Sequence, residues 1–126
     1  MRTESPLFDA GAVWELFGGD VQRIRELSWL IQRDLPRATI DAHAALETGD
    51  WTTLSRGAHR IKGSAATIRA EALRVQGEQL AAASRQTDAD AAAAALAHIA
   101  PAVEAVVAEL AAWTVSLVAV RQQRAS

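Results

Sequence analysis

The chain carries three imidazoles, at His43, His59 and His98, and no cysteine. Without thiols, disulfides and thiolate metal sites are out of reach. No Asp/Glu–His cluster at ligand spacing supports a metal site. No Ser/His/Asp order or Gly-rich phosphate loop is present either. What separates His59 from the other two is its company. Lys62, at i+3, is the one lysine among thirteen Lys and Arg residues. Its ammonium is a compact point charge on a flexible stem, able to meet a phosphoryl oxygen without the planar demands of guanidinium. Gly63 follows at i+4, and Arg56, Arg60 and Arg69 add positive charge nearby. An isolated histidine on a helix is ordinarily solvated or a core residue, which is how His43 and His98 are read.

The elements that must position these groups read as a short helix followed by four longer ones. Residues 8–17 form the short amphipathic helix, stopped by Gly18-Gly19, with Asp20 capping the next. That helix spans about 21–46, with a seam of Ile24, Leu27, Ile31, Leu35, Ala38, Ala42 and Ala45 at spacings of three and four. Pro36 predicts a kink near residues 32–34, or a break. After the turn at Gly49-Asp50, a third helix over 51–68 buries Leu54, Ala58, Ile61, Ala65 and Ile68. A fourth, over 70–84, buries Leu73, Gly77, Leu80 and Ala83 or Ser84, and Gln86-Thr87-Asp88 turns the chain. The last stretch holds a heptad through Leu96, Ile99, Val103, Val106, Leu110, Trp113, Leu117 and Val120. Pro101 predicts a kink or restart within it, and the Ala-rich residues 88–95 read as a frayed first turn. Four stripes that each need a partner, joined by short turns, predict an all-α fold: an antiparallel, up-down four-helix bundle with the first helix as a lid. A coiled-coil dimer through the last helix is the competing use of its heptad.

With the seam of the third helix in the core, its other side presents Thr52, Ser55, Arg56, His59, Lys62, Gly63 and Ala66 as one exposed strip. A glycine inside a helix costs about 1 kcal/mol relative to alanine, and core packing does not explain Gly63, which lies off the seam. A bare backbone beside His59 admits another protein's surface close to the imidazole.

Composition bounds the partners. A chain of 126 residues, 50% hydrophobic, is one domain, taken as 1–126 with a folded core of about 8–120. A net charge of −2 argues against a general nucleic-acid binder. Met1 to Pro6 has no apolar signal core, and no run approaches the roughly 18 uninterrupted apolar residues expected of a membrane span. The expectation is a soluble, cytoplasmic piece without direct membrane contact, on the cytoplasmic side of the inner membrane if it belongs to a sensor kinase.

The segment Ala58-His59-Arg60-Ile61-Lys62-Gly63-Ser64-Ala65-Ala66 resembles the signature of histidine-containing phosphotransfer (HPt) domains, written A-H-x-L-K-G-S/A. Gly49-Asp50-Trp51 is similar to the turn before the histidine helix, and Asp34-Leu35-Pro36 to a run in the preceding helix. Ala70, Leu73, Gly77 and Leu80 match small and apolar positions downstream. Arg69 departs from the pattern where the family often has Gly, and Ala81 where Glu often follows Leu80.

The resemblance implies that His59 accepts a phosphoryl group from a receiver-domain aspartate and passes it to another, as at the end of hybrid sensor kinases. It implies charge stabilisation by Lys62 and docking through Ser55, Arg56, Gly63, Ala66 and Arg69, with exposed Trp29 as a candidate from the second helix. The module itself binds no cofactor, Mg²⁺ being expected in the receiver, and is a carrier and not an enzyme. Its partners are then receiver domains of a hybrid kinase or response regulator. An unperturbed imidazole titrates near about 6.5, which leaves a neutral nucleophilic nitrogen at cellular pH. The alternative is a bundle that only docks receivers or dimerises, without phosphorylation. A metal- or haem-binding bundle is the third reading.

Overall fold

Aspartates set where four of the five helices begin. The computed structural model describes residues 7–125, with side chains for 7–119. Within them lie α1 (Ala10–Leu16), α2 (Val21–Thr48), α3 (Trp51–Thr67), α4 (Glu71–Arg85) and α5 (Ala89–Ala125), and no strand element. Asp9, Asp20 and Asp50 accept from the backbone N–H groups of Ala12, Arg23 and Thr53, and Asp88 accepts from Ala91 at 3.0 Å. Each supplies an acceptor for a donor that the first helical turn leaves open. Only α4 starts without one, on Ala70.

The three turns between the long helices share one closure. In each, a residue with positive φ follows the helix, and the next backbone N–H reaches back to the last turn: Asp50 to the Ala45 carbonyl at 2.9 Å, Ala70 to Ala65 at 2.8 Å and Asp88 to Ala83 at 2.9 Å. The left-handed residue is Gly49 in the first turn, but Arg69 (φ 53°) and Thr87 (φ 48°) in the others. A Cβ makes that conformation cost about 1–2 kcal/mol, and glycine avoids it. The Arg69 departure therefore leaves the turn intact and strains it. Arg69→Gly and Thr87→Gly should each raise stability by about 0.5–1 kcal/mol, the relief exceeding the added unfolded-chain entropy. Urea unfolding midpoints test this, and a loss of stability in both would contradict it.

The long helices contact one another in a ring, α2 with α3, α3 with α4, α4 with α5 and α5 with α2. Their short turns make neighbours antiparallel. Among the described side chains, all the expected seam residues are buried except Leu27 and Trp113, which are half-buried against the core. The lid holds through Val13, and Phe8 just before it meets the edge of Trp113 with ring centroids 5.7 Å apart. One polar link within the core escapes any reading of apolar stripes. Ser28 of α2 is buried and shares a 2.7 Å hydrogen bond with Thr114 of α5.

Three expectations change. Of the kink or break expected at Pro36 and the kink or restart expected at Pro101, the break and the restart do not occur, since α2 and α5 run through them. The carbonyls the prolines leave without a donor belong to Gln32, half-buried, and Ala97, exposed, so water can serve both. The start of α5 is not frayed: capped by Asp88, it buries Ala92 and Ala95. Ala89–Ala119 is long and apolar enough to span a bilayer, at mean hydropathy 1.7, a property that unbroken apolar runs did not reveal. In the bundle this helix buries Leu96, Ile99, Val103, Val106 and Leu110, as a core helix does. Residues 1–6 and the Val120 side chain lie outside the described residues.

Candidate functional site

Two opposite sides of α3 do different work. Leu54, Ala58, Ile61 and Ala65 are buried, and Gly57 joins them because it faces α2, where a Cβ would lie 3.3 Å from that of Ala42. The other side carries Thr52, Arg56, His59, Gly63 and Ala66, all exposed, with Ser55 and Lys62 half-buried along its edge. A Cβ added at Gly63 would meet nothing within 4 Å. No contact inside the described residues requires glycine there.

Both cations beside His59 in the sequence are held by carboxylates of the flanking helices. Arg60 lies 3.8 Å from Asp41 of α2. Lys62 is paired with Glu78 of α4, whose other oxygen lies 3.9 Å from Arg85. The hydrogen bond from Lys62 holds the Glu78 carboxyl below the ordinary glutamate range, with the positive charges of Lys62, Arg85 and Arg74 adding to it. At the start of α3, Asp50 is likewise lowered, chiefly by the hydroxyl and then the backbone N–H of Thr53. Arg56 makes no ion pair within 4 Å among the described residues, leaving its guanidinium on the strip beside His59.

The strip thus brings together Ser55, Arg56, His59, Lys62, Gly63 and Ala66, but not Arg69. That residue stands in the turn after α3, lining a cleft with Asp9, Gly11, Glu15 and Leu16 at the lid. Trp29 is 74% exposed, yet twelve residues separate it from Asp41, roughly 18 Å along α2. His43 and His98 are exposed. His43 lines a cleft of about 460 Å³ between α2 and α5 with Pro36, Ile40 and Val107, away from the strip.

Sequence reasoning missed the acidic partners, Asp41 and Glu78, because pairing across helices depends on rotation about each axis. One signal for Glu78 was available: it directly follows Gly77, a seam glycine. A Cβ on Gly77 would sit 3.1 Å from the backbone N and Cα of Lys62, so α4 approaches α3 closely at that residue.

A family model described as the Hpt domain matches residues 21–113. Comparison with curated proteins and with solved structures returns no match.

Proposed function

The chain belongs to the Hpt domain family, whose members carry phosphoryl groups on histidine in phosphorelays, and from that premise we propose that His59 is the carrier residue here. The observation behind this reading is the strip itself: an exposed imidazole, off the core side of α3, beside a glycine whose missing side chain leaves open space.

In the proposed reaction, a neutral ring nitrogen of His59 attacks the phosphorus of a receiver's aspartyl phosphate. An N–P bond forms as the P–O bond to the carboxylate breaks, and the aspartate leaves with the electron pair. Onward transfer to a second receiver reverses these steps. The chemistry is mainly positioning and charge stabilisation. Lys62 neutralises charge gained at His59, Arg56 complements an acidic receiver pocket, and Ser55, Gly63 and Ala66 form the small-residue floor on which the receiver rests. Arg69 acts at the margin, from the turn beside the lid. Mg²⁺ belongs to the receiver, residues 1–126 act as one carrier unit, and the setting is cytoplasmic.

The test is incubation with a phosphorylated receiver, following label that is acid-labile and base-stable. Full binding with no label on the chain would favour the docking-only alternative. The same assay separates Gly63 from Lys62. Gly63→Leu should cut the transfer rate by about tenfold or more, since a misplacement near 1 Å can cost about 100-fold. Helix content should be unchanged, because a Cβ at this exposed position meets nothing within 4 Å in the free protein. Lys62→Ala should also slow transfer while sparing receiver binding.

A further inference from the structure

Resting on the reading of His59 as the phosphoryl carrier, we propose that Glu78 is a positioning residue that holds Lys62 in the unphosphorylated protein and yields it to the phosphoryl group. Glu78 would thereby set how strongly the phosphorylated form is favoured.

The tether is built into the way two helices meet. Gly77 lets α4 approach the backbone of Lys62, so the lysine stem leaves α3 at the α3–α4 seam. Glu78, the next residue, is there to receive the ammonium. The pair is solvent-accessible, with the two side chains 37% and 44% exposed. Pairs of this kind are weak, so the hold on Lys62 is one that a stronger anion can break. A phosphoryl group brings about two negative charges and three acceptor oxygens, against the single charge of Glu78. Lys62 stands one helical turn from His59 and its stem is flexible, so a change of side-chain rotamer is enough for it to exchange partners.

Glu78 is not left bare by this exchange. Arg85, seven residues on at the end of α4, already lies 3.9 Å from its second oxygen, with 57% of its side chain exposed and free to close in. Arg74 adds a weaker field from the preceding turn, although its guanidinium is engaged by Glu71. Arg85 therefore replaces Lys62 as the counterion, and the cost of releasing the lysine falls. Competition of this form predicts that removing the Glu78 charge favours phospho-His59. A purely structural ion pair predicts no such gain.

The experiment uses phosphoramidate as phosphoryl donor with the intact chain. A ring nitrogen of His59 forms the N–P bond while the P–N bond of phosphoramidate breaks, and the departing ammonia takes up the ring proton. The ratio of phosphorylated to free chain is measured at fixed phosphoramidate and ammonium concentrations. Glu78→Gln should raise that ratio about two- to fivefold, the range that an exposed ion pair can contribute. In a Lys62→Ala background the same substitution should change nothing. Because Lys62 is the one lysine, selective lysine labelling yields a single side-chain NMR signal, and in the unmodified protein it should shift when His59 is phosphorylated.

An unchanged or lower ratio in Glu78→Gln overturns the tether, as does an equal rise without Lys62 or a lysine signal indifferent to phosphorylation. Those results leave His59 as carrier untouched, since His59 is loaded in each. A chain that takes label neither from phosphoramidate nor from a phosphorylated receiver overturns the carrier reading and the tether together.

Discussion

His59→Gln is expected to abolish phosphoryl transfer while leaving the fold and its stability within about 0.5 kcal/mol of the parent, as surface substitutions usually do. His59 is exposed on the side of α3 away from the core. Its side chain makes no hydrogen bond or ion pair among the described residues. Gln keeps a polar side chain of similar reach and a good helix propensity, but its amide nitrogen is no nucleophile. Loss of label therefore reports chemistry and not unfolding. The internal controls are His43→Gln and His98→Gln, also exposed substitutions, which should retain full transfer. Transfer that survives in His59→Gln and disappears in either control would move the carrier to another histidine and undo the assignment. A loss in all three would point to general damage, and circular dichroism of the variants would reveal it.

The placement of His59 away from the core was legible in the sequence, and the reason is geometric. Helical periodicity tells which residues share a side, so Leu54, Ala58, Ile61 and Ala65 fixed the buried side of α3 and left His59 opposite. The starts of α2 and α3 were legible too, because Asp20 and Asp50 each stand before an apolar repeat. Contacts between helices were less so. The Arg60–Asp41 and Lys62–Glu78 pairs depend on the rotation of neighbouring helices and on how closely their axes approach, and neither follows from spacing within one helix. Left-handed residues were readable only where glycine marked them: Gly49 announced its turn, whereas Arg69 and Thr87 adopt the same conformation against their own preference. At the prolines, spacing alone did not decide between a kink and a break, and both helices run on through them. The rule that proline interrupts a helix weighs the lost donor, but Ala97, whose carbonyl loses its usual partner, is an exposed residue, where the loss is cheap.

Gly63 and Gly77 show most sharply what packing adds to spacing, because one substitution should have opposite signs at the two sites. Both are helical, so replacing either with alanine gains about 1 kcal/mol of intrinsic helix preference. At Gly63 nothing opposes that gain, since the new methyl group meets no atom within 4 Å. Gly63→Ala should stabilise the free protein by about that amount. At Gly77 the methyl group would lie 3.1 Å from both the backbone N and the Cα of Lys62. Two helix backbones, unlike the far end of a flexible side chain, cannot step aside locally. Either α4 moves away from α3 or both helices strain, and overpacking of this kind costs typically about 1–3 kcal/mol. Gly77→Ala should therefore destabilise the chain on balance, with Gly77→Leu costing more as its branched end enters the same seam. Urea denaturation of both alanine variants measures the difference directly. If Gly77→Ala proved as stabilising as Gly63→Ala, the close approach of α4 to Lys62 would be wrong. The consequence would extend to the tether, because the position from which Glu78 reaches the lysine depends on that approach. If the signs are opposite, the glycine that shapes the α3–α4 seam and the glycine that opens the surface beside His59 are separated by stability alone, before any transfer is measured.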